Sequence, residues 1–173
     1  MVRVVEISPG LRHDPIELAR RNWIAAGWAD AADGMALVTS IMRVQQLLLG
    51  RIEALLRPHG LTFARFEVLR LLAFTRRGEL PVGKIGERLQ VHPASVTNAV
   101  QRLEEARLVV RRTNPDDGRS VLAEITVAGR SLVELCTVLL NEQVFRQLDL
   151  AAAHATDVVR GLDELRRGSG DFD

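Results

Sequence analysis

At Leu108 the apolar period of this chain switches from about 3.6 residues to about 2, and that switch constrains the fold more than any other feature. Before it lie two short helical segments, about Val82 to Leu89 and about Pro93 to Ala106. Only Gln90, Val91 and His92 separate them, and Pro93 suits a first helical position. After it, Val109-Val110-Arg111-Arg112-Thr113 reads as a strand, Asn114-Pro115-Asp116-Asp117-Gly118 as a turn, and Ser120 to Ile125 as the returning strand. The first pair is a helix-turn-helix, and a β-hairpin directly behind it is a wing.

The flanks are helical. Leu37, Ile41, Val44, Leu48, Ile52 and Leu55 recur at steps of three and four, an apolar stripe closed by Pro58 and Gly60. Upstream, Asp14 caps a shorter helix with Pro15 in its first position, running through Leu18, Trp23 and Trp28 to a break near Asp33-Gly34. Thr62 caps a third helix that turns Phe63, Phe66, Leu69 and Leu72 inward and ends before Gly78 and Pro81. Thr126 caps a long helix with Leu132, Leu135, Cys136, Leu139 and Leu140 on one side. Asp149 or Leu150 opens a last helix carrying Val158, Leu162 and Leu165, with a frayed tail from Gly168. The expected fold is mainly α with a small β-hairpin wing: residues 1–61 as N-terminal dimerisation helices, 62–126 as the winged helix-turn-helix, 127–173 as C-terminal dimerisation helices. The flanking stripes exceed what one small winged helix can cover, which calls for a second copy.

Composition excludes several classes. A chain of 173 residues buries a core without a disulfide or metal. Its one cysteine, Cys136, reads as an inert buried thiol, and its four histidines are too scattered for a local ligand motif, so neither metal nor cofactor is expected. No run of 18 apolar residues predicts a membrane span, and the first ten residues carry no signal-peptide pattern, so a cytoplasmic protein is expected. Nothing resembles a paired acid and base, a nucleophile elbow or a phosphate loop, which argues against an enzyme.

The net charge of +1 hides an uneven distribution. Between Thr62 and Arg130 there are 12 basic and 8 acidic residues, a balance of +4, against −3 for the rest. All the basic residues except Lys84 are arginine, a planar fork suited to phosphates and base edges, although a coding bias gives the same skew. In the second helix of the pair, Val96, Val100 and Leu103 must face the core. That turns Ser95, Thr97, Asn98, Gln101 and Arg102 outward, residue types that read base edges in a major groove or simply form a polar helix face. Lys84, Arg111 and Arg112 are candidates for phosphate contacts. Arg119, after the turn, is a candidate for the minor groove, with Asp117 either holding its guanidinium or bonding its own backbone.

The runs Leu-Pro-Val-Gly-Lys-Ile-Gly-Glu-Arg-Leu from Leu80, Ser-Val-Thr-Asn-Ala-Val-Gln-Arg-Leu-Glu from Ser95, Asn-Pro-Asp-Asp-Gly-Arg-Ser from Asn114 and Ile-Thr-Val-Ala-Gly-Arg from Ile125 resemble the multiple-antibiotic-resistance regulator (MarR) family. The resemblance spans about Leu37 to Leu165. It implies a homodimeric winged-helix repressor, responsive to a ligand, that binds a pseudopalindromic double-stranded DNA operator. Thr97, Asn98 and Arg102 would then read the major groove and Arg119 the minor groove. Arg107 departs from the pattern, standing where the family usually has a glycine. The extra N-terminal helix resembles the urate-responsive branch, in which Trp23 and Arg43 match ligand residues. Glu67 replaces an aspartate there and Ala99 an arginine, pointing away from urate towards another small planar or anionic effector. The alternative from another class is a winged helix used only for protein–protein contacts.

Overall fold

In a computed structural model, residues 13–115 and 117–172 are described. The chain divides into two compact units, the first ending at Ala54 and the second starting at Leu55.

The first unit holds α1 (Pro15–Ala25) and most of α2 (Ala32–Leu56). Asp14 caps α1, its carboxylate accepting the Ile16 N–H at 2.9 Å, and Pro15 takes the first position as expected. The break comes earlier than the Asp33-Gly34 pair. Gly27 adopts a left-handed φ of +94°, Trp28 lies in the connection, and α2 runs straight through Gly34. Gly34 has ordinary helical backbone, and a glycine inside a helix weakens it without breaking it. Arg20 bonds Asp33 at 2.7 Å and ties α1 to the start of α2.

The second unit contains α3 (Phe63–Phe74), β1 (Glu79–Pro81), α4 (Val82–Leu89), α5 (Pro93–Glu105), β2 (Val109–Asn114), β3 (Asp117–Ile125), α6 (Val127–Leu140) and α7 (Ala152–Gly168). A π-helical turn, Asn141–Phe145, continues α6. The sheet has three antiparallel strands in the order β1-β3-β2, with Leu80 and Arg111 both opposite Ala123. The hairpin was predicted but β1 was not: it has three residues, ends in proline, and exists only because β3 pairs with it.

The core lies where α3, α4, α5, α6 and the sheet meet. Leu69, Leu72, Ile85, Val96, Val100, Leu103, Val109, Ala123, Val133 and Cys136 are all buried. On α6 the inward face is Gly129, Val133, Cys136 and Leu140, whereas Leu135 is half-exposed. The predicted stripe was thus rotated, because glycine and valine make that contact.

Two glycines explain motif positions. A Cβ on Gly129 would stand 2.2 Å from the Leu108 carbonyl oxygen, so the start of α6 can approach the end of α5 only without a side chain. Thr126 caps α6 by accepting the Gly129 N–H at 3.0 Å, while its hydroxyl lies 3.0 Å from the Arg107 carbonyl oxygen. In α4, a Cβ on Gly86 would lie 3.3 Å from the Val96 side chain, which is the close crossing of α4 and α5.

Beyond Gly168, where a frayed tail was expected, the residues up to Phe172 fold back on the end of α7. Gly170 takes a left-handed φ of +73°, Arg166 holds Asp171 at 2.6 Å, and the Phe172 ring packs under Arg166 and Arg167.

Candidate nucleic-acid interface

The helix α5 has two faces with different chemistry. Val96, Ala99, Val100 and Leu103 are buried, and Ser95, Thr97, Asn98, Gln101 and Arg102 are exposed, as the periodicity predicts. His92 is the N-cap, its Nδ1 accepting the Ala94 N–H at 3.2 Å. The Thr97 hydroxyl donates to the Pro93 carbonyl at 3.0 Å. Glu105 accepts from Gln101 at 3.1 Å and from Arg102 at 3.0 Å.

Beyond Ala106 the chain turns through Arg107 at φ +60°. The left-handed geometry that a glycine usually supplies is kept, with an arginine in it, and such a residue costs about 1–2 kcal/mol relative to glycine. The turn delivers Val109 into the core and starts the wing.

Carboxylates brace the wing root. Glu104, near the end of α5, accepts from the Arg111 Nε at 2.6 Å and the Arg111 backbone N–H at 3.3 Å. The Arg111 hydrogen bond holds the Glu104 carboxyl below its ordinary range. Arg112 reaches across the sheet to Glu79 on β1 and, at 3.0 Å, to Glu124 on β3. Glu79 and Glu124 are register partners on adjacent strands, so Arg112 separates two like charges that would otherwise face each other. Lys84 is paired with Glu87 at 2.7 Å.

At the wing turn the Asp117 carboxylate accepts the backbone N–H of Arg119 at 3.1 Å. The expected clasp on the guanidinium is absent among the described residues, and the aspartate fixes the backbone instead. Ser120 and Asn114 complete the turn: the Ser120 hydroxyl donates to the Asp117 carbonyl at 3.1 Å, and Asn114 Nδ2 to the Ser120 hydroxyl at 2.8 Å. Arg119 is exposed beside these bonds. A cleft of about 350 Å³ brings Thr97, Arg111 and Arg119 together between α5 and the wing.

The other candidates stand on α1, α2, α3 and α6. Trp23 on α1 meets the Trp28 ring edge to face, with centroids 5.4 Å apart. Arg43 on α2 contacts Gln46 at 3.4 Å. Glu67 on α3 is half-buried, and burial pushes its carboxyl up. Cys136 is fully buried, with its thiol pushed up by burial. Among the described residues no cluster of histidine, cysteine or carboxylate could hold a metal, and no helix is long and apolar enough to cross a membrane. The braces Glu79, Glu104 and Glu124 and the cap His92 escaped the sequence reading. Only His92 left a signal, as a capable acceptor immediately before Pro93.

Residues 59–120 match the profile of the MarR family. A crystal structure of Sco5413, a MarR family transcriptional regulator from Streptomyces coelicolor, is 50% identical over 82% of this chain and 98% of that one, with a TM-score of 0.74. The HTH-type transcriptional regulator MhqR of Bacillus subtilis is 35% identical over 78 residues, which is 45% of this chain and 52%, about half, of that relative. The HTH-type transcriptional repressor Rv2887 of Mycobacterium tuberculosis is 29% identical over 78% of this chain and 96% of its own length. With half of the matched residues identical to those of a family member, along nearly that protein's whole length, and a winged helix-turn-helix in common, this chain belongs to the MarR family.

Proposed function

We propose that the protein is a dimeric, DNA-binding transcription regulator, a ligand-responsive repressor of the cytoplasm that binds a pseudopalindromic operator. One observation carries the reading: α5 turns five polar side chains outward while a braced wing holds Arg119 on the adjoining surface. Ser95, Thr97, Asn98, Gln101 and Arg102 enter the major groove, Arg119 the minor groove, and Lys84, Arg111 and Arg112 contact phosphates. The names of Rv2887 and MhqR support regulation and repression.

Residues 1–61 and 127–173 are the dimerisation parts, acting through α1, α2, α6 and α7; residues 1–12 and 173 lie outside the described residues. The support is exposed apolar surface: Leu37, Val38, Met42 and Leu47 on α2, and Val158, Val159 and Leu165 on α7, are each about half-exposed or more. Trp23, Arg43 and Glu67 are the effector residues, taking a small planar or anionic compound. Its binding shifts the two lobes by differential affinity, a coupling of about 1–3 kcal/mol.

The test is a salt-controlled anisotropy titration on sites selected from genomic DNA. Arg119→Ala is expected to weaken operator binding by about 1–3 kcal/mol; unchanged affinity refutes the wing's role. A wild-type protein with no salt-dependent DNA binding would favour the protein–protein alternative.

A further inference from the structure

A groove of about 590 Å³ runs beside the exposed face of α5, walled on its far side by the first turn of α3. Ser95, Asn98 and Arg102 line one wall, and Thr62 and Arg65 the other. The second wall lies outside the helix-turn-helix pair and the wing.

Arg65 is in the wrong place for a purely structural residue. It is the third residue of α3, behind the N-cap Thr62, where a capping box wants Glu or Gln to reach back to the cap. A cation there also opposes the positive end of the helix dipole. The first turn of α3 contains no acidic residue to offset it. The guanidinium Nε bonds only the Thr62 hydroxyl, at 3.1 Å, and Arg65 has no carboxylate partner among the described residues. Across the groove stands a second arginine, Arg102, which shares the Glu105 carboxylate with Gln101. Two guanidinium groups lining one cavity repel each other until an anion enters. A residue that breaks a local rule without local compensation points to a functional constraint.

We propose that this groove seats a DNA backbone phosphate, with Arg65 as an additional phosphate-binding residue that extends the interface from α5 onto α3. The inference rests on the DNA-binding reading above. The contact is sequence-independent: Arg65 adds grip and fixes the angle of α5, while base choice stays with α5.

The experiment compares wild type, Arg65→Gln and Arg65→Lys by anisotropy on operator and unrelated duplexes over a salt series. Glutamine restores the capping box, so the variant folds, and its thermal midpoint is expected to equal or exceed that of wild type. Arg65→Gln is expected to weaken operator and unrelated DNA by the same factor, several-fold at moderate salt. The slope of log affinity against log salt should fall by about 0.9 for each phosphate that is no longer neutralised. Arg65→Lys keeps the charge and is expected to restore the slope, a rescue that a merely structural residue would not show. If wild type binds DNA and Arg65→Gln matches it in affinity and slope, the phosphate seat is wrong while the DNA-binding reading stands. Weakening of operator binding alone, with unrelated DNA unaffected, would also overturn it by making Arg65 a reader of bases. If wild type binds no DNA, both readings fall.

Discussion

Arg107 is the residue at which sequence pattern and backbone geometry disagree most openly. Its φ of +60° is one that L side chains adopt at a cost, and its side chain is exposed. Arg107→Gly should therefore stabilise the fold by about 1 kcal/mol, seen as a higher denaturant midpoint with an unchanged slope. Two carboxylates supply opposite pH signatures. Burial raises the Glu67 carboxyl, so the folded state holds that proton more tightly than the unfolded chain. Stability from this group falls as pH rises through and above the ordinary carboxylate range, and Glu67→Gln should remove that fall. Glu104 is lowered by Arg111, so its contribution is present above the ordinary range and lost as pH drops. Glu104→Gln should flatten the acid limb. Unfolding curves between about pH 3 and about pH 7 separate the two, and the idea fails if the variants change the profile in the same direction.

At the level of elements, the helices were legible because their signals are local. Asp14, Thr62 and Thr126 each cap the helix predicted for them, and α4 matches its predicted bounds. The misses share a cause: they depend on partners distant in sequence. The strand β1 needs β3, and the inward face of α6 is set by Gly129 against Leu108. The brace of Arg112 between Glu79 and Glu124 joins residues from three strands, and no spacing along the chain announces it. Its energetics can be tested as a unit. Arg112→Ala leaves two carboxylates opposed on paired strands and should cost on the order of 1 kcal/mol. Adding Glu124→Gln should recover part of that loss, a non-additivity read from a double-mutant cycle. Additive losses would mean the three side chains do not act together. Half of the candidate interface was legible in the same way: the exposed face of α5 follows from periodicity, but the braces behind the wing and the groove wall at Arg65 do not.

For the whole molecule, the exposed apolar faces of α2 and α7 are the strongest argument for a second copy. Sedimentation at micromolar concentration is expected to give a species of twice 19.2 kDa, and a folded monomer at that concentration would count against the symmetric operator. The pairing of the interface cations has a consequence for how such a protein searches a genome. Lys84, Arg102, Arg111 and Arg112 each carry an internal counterion in Glu87, Glu105, Glu104 and the Glu79–Glu124 pair. On the DNA-binding reading proposed above, a duplex approaching at random would have to compete with those carboxylates before it gained a foothold, so the grip on arbitrary DNA would be weak and visits short. Only a site that engaged α5 and the wing together would repay the exchange, and the protein would travel quickly over the rest.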